Sequence, residues 1–160
     1  MKISKILIGI DDSKYAAHAA EYAFDIAHKF NASVGIVNIV EPIIMPPSGG
    51  IDPLMGSALN NATFQDMELL DIQKNQSENI VERTIKQFAG DMEVTHFTEY
   101  GSTADGIIDC SKEFGADLIV IGTHSRSGLD RLLMGSVAEH VVRHAEVPVL
   151  VVPFKESESQ

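Results

Sequence analysis

With 160 residues, 44% of them hydrophobic and 22% charged, the chain can bury a substantial core without help from a metal or a disulfide network. Its formal charge of −11 at pH 7 argues against a nucleic-acid or anionic-membrane surface, because those partners select basic patches. No apolar run reaches the roughly 18 residues needed to span a bilayer, so no membrane insertion is expected.

The chain opens with an apolar run, Ile6 to Ile10, rich in β-branched residues, which predicts a strand buried on both faces and ended by Asp11. The run is too short for a signal segment, so export is not expected. Asp12 or Ser13 can cap a following helix. Its apolar residues Ala16, Ala20, Ala23, Phe24, Ala27 and Phe30 recur at three and four, and Asn31 stops it. Val34 to Val40 repeats the strand signal up to Glu41-Pro42. The prolines and glycines from Pro42 to Gly56 then predict an irregular insertion over about 41–63, either a lid or partner surface or a plain flexible loop.

A long amphipathic helix is predicted from about Asp66 to Phe88, marked by Leu69, Leu70, Ile72, Ile80, Val81, Ile85 and Phe88 and ended by Gly90. Val94 to Tyr100 alternates in polarity, as a less buried, peripheral strand would. Ser102 or Thr103 opens the next helix and Gly115 closes it; it carries Cys110, the chain's single cysteine. With no internal disulfide to form, this cysteine points to a reducing cytoplasm and to packing rather than reactivity. Leu118 to Ile121 is a fourth buried strand, Ser136 to His144 a fourth helix, and Val147 to Val152 a last strand. The tail from Lys155 to Gln160 is expected to be disordered.

Five strands alternating with four helices predict one α/β domain over 1–154, an open five-stranded parallel sheet with helices on both faces, Rossmann-like in architecture. Such sheets bind ligands beyond the carboxyl ends of their strands, where strand order reverses, and Asp11, Ile39 and Gly122 fall at or near such ends. Gly122, Gly128, Gly135 and Ser136 could form a nest of N–H donors for phosphate, with the start of the last helix adding its dipole. They could equally be a glycine-rich strand-to-helix connection, since no Walker lysine precedes a Ser or Thr.

His124 could touch a nucleotide or pack in the loop. Lys14, Arg126 and Arg131 could reach phosphate or remain solvated. His140 and His144 share a helix face, but Val141 stands where a metalloprotease motif has glutamate and no third ligand is evident, which favours a structural or surface role.

The chain resembles the universal stress protein family, whose nucleotide-binding members carry Gly-x2-Gly-x9-Gly-(Ser/Thr) after the fourth strand. Here the register is Gly122-Thr-His-Ser125, nine residues, then Gly135-Ser136. The words Ile6-Leu-Ile-Gly-Ile-Asp-Asp-Ser13, Asp117-Leu-Ile-Val-Ile-Gly-Thr-His124, Leu132-Leu-Met-Gly-Ser-Val-Ala-Glu139 and Val147-Pro-Val-Leu-Val-Val152 match as well, so the resemblance spans nearly the whole chain.

It implies an adenine nucleotide alpha hydrolase-like fold with an adenine nucleotide, usually ATP, across the strand ends. By similarity Asp11 and the main chain near Ile39 would serve adenine and ribose, while Gly122, Ser125, Gly135, Ser136 and Val137 would serve ribose and phosphates. Asp11 also has a purely structural reading, as a cap of the following helix. Ser125 replaces the second motif glycine. If that position needs a left-handed backbone, the replacement costs about 1–2 kcal/mol, although its hydroxyl could also donate to phosphate.

A phosphoryl-transfer set of lysine, acidic metal ligands and a positioned nucleophile is not recognisable, so binding with slow or no hydrolysis is expected. A magnesium ion could accompany the phosphates. The resemblance thus implies a cytoplasmic, ATP-binding regulatory module of the stress response. It would be a homodimer through the Val147 to Val152 edge strand, and nucleotide would order the 41–63 segment. The alternatives are a nucleotide-free dimeric interaction protein and a weak ATPase or nucleotide transferase.

Overall fold

A computed structural model describes residues 2–43, 58–123 and 134–154 of the chain. The element order is β1 (Lys5–Gly9), α1 (Lys14–Phe30), β2 (Ser33–Val40), α2 (Ala58–Phe88), β3 (Val94–Tyr100), α3 (Thr103–Phe114), β4 (Leu118–Gly122), α4 (Ser136–His144) and β5 (Val149–Val152). All five strands run parallel in the order β3-β2-β1-β4-β5. The predicted α/β architecture is the observed one.

The three central strands are the continuous apolar runs, because both of their faces are covered. One face packs Ile6, Ile8, Val34, Ile36, Leu118 and Val120 against Ala16, Ala20, Ala23 and Phe24 of α1 and Val81 of α2. The other packs Leu7, Val37, Ile119 and Ile121 against Ile107 and Ile108 of α3 and Ala138 and Val141 of α4. β3 is an edge strand, as its alternation predicted, and β5 is the opposite edge. Right-handed crossovers carry the chain from β1 outward to β3 on one face, then back past β1 to β4 on the other. Strand order therefore reverses between β1 and β4.

Several boundaries differ from expectation. β5 starts at Val149 rather than Val147: Pro148 has no N–H to give a ladder, and its carbonyl instead accepts from Ile119 N at 3.0 Å. α2 starts at Ala58, eight residues before the expected Asp66, so 58–63 of the supposed irregular segment is helical. No Gly or Pro follows Gly56 until Gly90, so nothing interrupts the helix once it has begun.

At 31 residues α2 is about 46 Å long, against about 27 Å for the eight residues of β2, and it outruns the sheet. Leu70 and Ile72, predicted on its buried face, are consequently exposed. Phe30, in the last turn of α1, is likewise 54% exposed. Most of the remaining insertion, and the tail from Lys155, lie outside the described residues.

Candidate functional site

Unequal strand lengths open a cleft at the carboxyl end of the sheet. β1 pairs with β2 only as far as Gly9↔Val37, whereas β2 continues beside β3 through Val40↔Tyr100. On the other side the last pair of β1 with β4 is Ile8↔Val120, and β4 continues beyond it to Gly122. Above β1 lies a cleft of about 1040 Å³ whose lining includes Asp11, Ile39, Gly122, Gly135, Ser136 and Val137. Those are six of the seven residues named by resemblance; the seventh, Ser125, lies outside the described residues, as do His124, Arg126, Gly128 and Arg131.

The exit of β1 is held by a buried amide. Asn38 Nδ2 donates to the carbonyl of Ile10 at 2.8 Å, and Ile10 N donates to Val37 O at 3.0 Å. Together these hold Ile10 against β2 at the last point before the chain leaves the sheet. Asp11 Oδ1 then accepts from Ser13 N at 3.0 Å, and Ser13 Oγ accepts from Ala16 N at 3.1 Å as the N-cap of α1. Ser13 is therefore the cap, and one oxygen of the exposed Asp11 carboxylate braces the turn before it. Ile39 packs its side chain onto α3 at Gly106, where an added methyl would stand 2.5 Å from Ile39 Cδ1. What Ile39 offers the cleft is main chain.

The opposite end is built around α4. Thr123 N donates to Val152 O at 3.2 Å, and Gly135 N to Thr123 O at 3.1 Å, so the start of α4 is tied directly to the tip of β4. Gly135 is the N-cap and supplies no side-chain hydrogen bond. Among the described residues no side chain caps the leading N–H groups of Ser136 and Val137, two residues that line the cleft at the positive end of the helix dipole. Such an end accepts an anion. Gly135 has a negative φ of −26°, so a left-handed backbone is not the reason for its glycine.

A second wall, not expected from sequence, comes from α2. Gln73, Gln76, Ser77, Ile80 and Arg83 line the cleft at spacings of three and four. Arg83 pairs with Asp12 across the rim, and Gln73 Nε2 donates to Glu41 O at 3.3 Å. Glu41 in turn accepts from Thr103 Oγ1 at 2.6 Å and lies 3.4 Å from Thr103 N, which caps α3 from outside its own segment. The apolar periodicity of α2 carried no sign of this wall. A polar stripe beside an apolar one reads as a solvated face until the neighbour is known.

Lys14 places Nζ 5.7 Å from the ring centre of Tyr15 and 5.6 Å from that of Phe154. His140 Nε2 donates to Asp105 Oδ1 at 2.9 Å, and His144 Nδ1 donates to the His140 carbonyl at 2.8 Å. The first of these histidine contacts ties α4 to α3 and the second lies within α4, and both fit the structural reading of the pair. Among the described residues no group of three His, Cys, Asp or Glu side chains is arranged to hold a metal.

The universal stress protein family model matches residues 2–153. A universal stress protein of Methanocaldococcus jannaschii is 35% identical over 156 residues, covering 95% of this chain and 84% of its own. Among solved structures, a universal stress protein from Lactobacillus plantarum superposes with a TM-score of 0.75 at 25% identity, over 95% of this chain and 99% of its own. One from Archaeoglobus fulgidus, in complex with dAMP, does so with a TM-score of 0.62 at 19% identity, over 94% and 98%. With the family model extending over almost every residue of a fold that the sheet order and cleft had already defined, the chain belongs to the universal stress protein family.

Proposed function

We propose that the cleft binds an adenine nucleotide, ATP, and that the protein acts as a nucleotide-responsive regulatory module. The observation that carries this reading is the uncapped start of α4, held by Thr123 at the tip of β4 and open to the cleft. An N-cap without a side-chain acceptor leaves donors for phosphate oxygens. Ser136 adds a hydroxyl, while Asp11 and the main chain near Ile39 would take the nucleoside. Family membership and the dAMP complex of the Archaeoglobus fulgidus relative support the choice of ligand.

Hydrolysis is slow or absent in this reading, because the cleft residues described form no phosphoryl-transfer set. Magnesium, if bound, is held chiefly by phosphate and water. The compartment is the cytoplasm, in keeping with a buried free thiol at Cys110.

The assembly is a homodimer. β5 is an edge whose Val149, Leu150 and Val151 are only half-buried, and an apolar edge strand is stabilised by pairing with its symmetry mate. A monomeric mass in dilute solution contradicts the dimer without touching the nucleotide reading.

The direct test is to release small molecules from freshly purified protein by heat, identify them by chromatography, and titrate the stripped protein with ATP and magnesium in a calorimeter. Recovered ATP, or micromolar binding, is the expected result. No released nucleotide and no binding in an independent assay overturns the proposal.

A further inference from the structure

Four polar side chains are buried among the described residues, and three of them are satisfied. Asn38 donates to Ile10 as above. Thr84 Oγ1 donates to the Ile80 carbonyl at 2.8 Å, and Ser111 Oγ to the Ile108 carbonyl at 2.8 Å. The fourth, Ser77, is 1% exposed, and its Oγ has no hydrogen-bond partner. A buried hydroxyl in that state opposes folding. Thr84, two turns further along the same helix, satisfies itself on the carbonyl four residues back. Ser77 does not take the equivalent bond. Ser77, unlike Thr84, lines the cleft.

Its place in the cleft identifies which part of a ligand it meets. α2 packs on β2, β3 and α1, whereas α4 packs on α3 and β5. The Ser77 wall and the anion-accepting start of α4 thus stand on opposite sides of β1, at opposite ends of the cleft. Near Ser77 the wall offers the uncharged amides of Gln73 and Gln76 and the aliphatic side chain of Ile80. Among the described residues that line the cleft the one cation is Arg83, which is paired with Asp12. Neutral hydrogen-bonding groups flanked by aliphatic surface match a heterocyclic base and its sugar, not a phosphate chain.

We propose that Ser77 is a ligand-binding residue whose hydroxyl hydrogen-bonds the base-and-sugar end of the nucleotide, making α2 a specificity wall of the cleft. This rests on the nucleotide reading above. The free protein carries the unsatisfied hydroxyl, and the bound ligand satisfies it.

The test compares wild type with Ser77→Ala, using ATP, AMP and inorganic tripolyphosphate as probes in calorimetry, together with the melting temperature of each protein without ligand. The variant is expected to melt at or above the wild-type temperature. It should bind ATP and AMP about 5-fold more weakly, or about 1 kcal/mol at 1.4 kcal/mol per factor of ten, and tripolyphosphate unchanged. A purely structural serine does not give this combination.

Equal ATP affinity in the two proteins overturns the assignment and leaves the nucleotide reading intact. A loss shared by tripolyphosphate, or a free variant that is less stable or unfolded, also overturns it. If wild type binds neither ATP nor AMP, the nucleotide reading has failed and the assignment falls with it.

Discussion

A methyl group built on Gly122 would stand 2.8 Å from the carbonyl oxygen of Tyr15 and 2.9 Å from its carbonyl carbon. The last residue of β4 is therefore in backbone contact with the first turn of α1, and only a hydrogen in place of a side chain permits it. This contact sets how close α1 lies to the strand end, and so the depth of the cleft at its centre. Gly122→Ala must displace main chain, not a flexible side-chain tip. We expect a loss of about 1–3 kcal/mol, seen as a fall of a few degrees in melting temperature. The loss should already be present without ATP. A variant as stable as wild type contradicts the contact.

Gly122 shows how far the sequence was legible. Its spacing to Gly135-Ser136 marked a candidate ligand junction, and all three residues line the cleft, yet the packing reason for this glycine is a contact with a residue more than a hundred positions earlier. Continuous apolar runs located β1, β2 and β4 because burial on both faces leaves that imprint, and Gly115 marked the end of α3. What stayed hidden depends on pairings between distant segments. β2 outlasting β1, Asn38 clipping Ile10, Glu41 capping α3 and the polar stripe of α2 forming a wall leave no periodicity in any single window.

Asn38 is buried at 6% exposure, and its amide is the hydrogen-bond donor to the Ile10 carbonyl just below the cleft. Asn38→Ala leaves that carbonyl without this partner and opens a small cavity beside it. A destabilisation of about 1–3 kcal/mol is expected, measurable as a lower urea midpoint. Because the clip holds the turn into Asp11, ATP affinity should fall as well. A variant with unchanged midpoint and unchanged affinity rules the clip out as a support of the site.

Cys110 is 2% exposed, and burial, followed by the negative charges of Glu99, Glu113 and Asp109, pushes its thiol from an ordinary value of 9.0 up to about 12. The folded protein should resist thiol reagents at pH 8, with labelling following unfolding. The raised value also sets a sign for stability. Below about pH 9 both states keep the proton and the contribution is fully present; above it the unfolded chain loses the proton first, and the contribution fades up to about pH 12. The stability difference between wild type and Cys110→Ala should therefore narrow as pH rises from 9 towards 12. Rapid labelling of the native protein at pH 8 contradicts the burial.

The most direct electrical test of the cleft uses Gly135, the N-cap that offers α4 no side-chain acceptor. Gly135→Asn and Gly135→Asp both supply one, and either should stabilise the free protein by about 0.3 kcal/mol, since glycine is itself a fair cap. They differ in charge. A carboxylate about 4 Å from a phosphate oxygen is repelled by about 1 kcal/mol in water and about 4 kcal/mol in a partly desolvated site. Gly135→Asp should thus weaken ATP by about ten-fold or more, and Gly135→Asn by much less, because it competes for the same N–H groups without the charge. Raising the salt concentration should recover part of the Asp variant's loss and little of the Asn variant's. If both bind ATP as wild type does, phosphate does not sit at the start of α4, and the nucleotide, if bound at all, enters the cleft in another orientation.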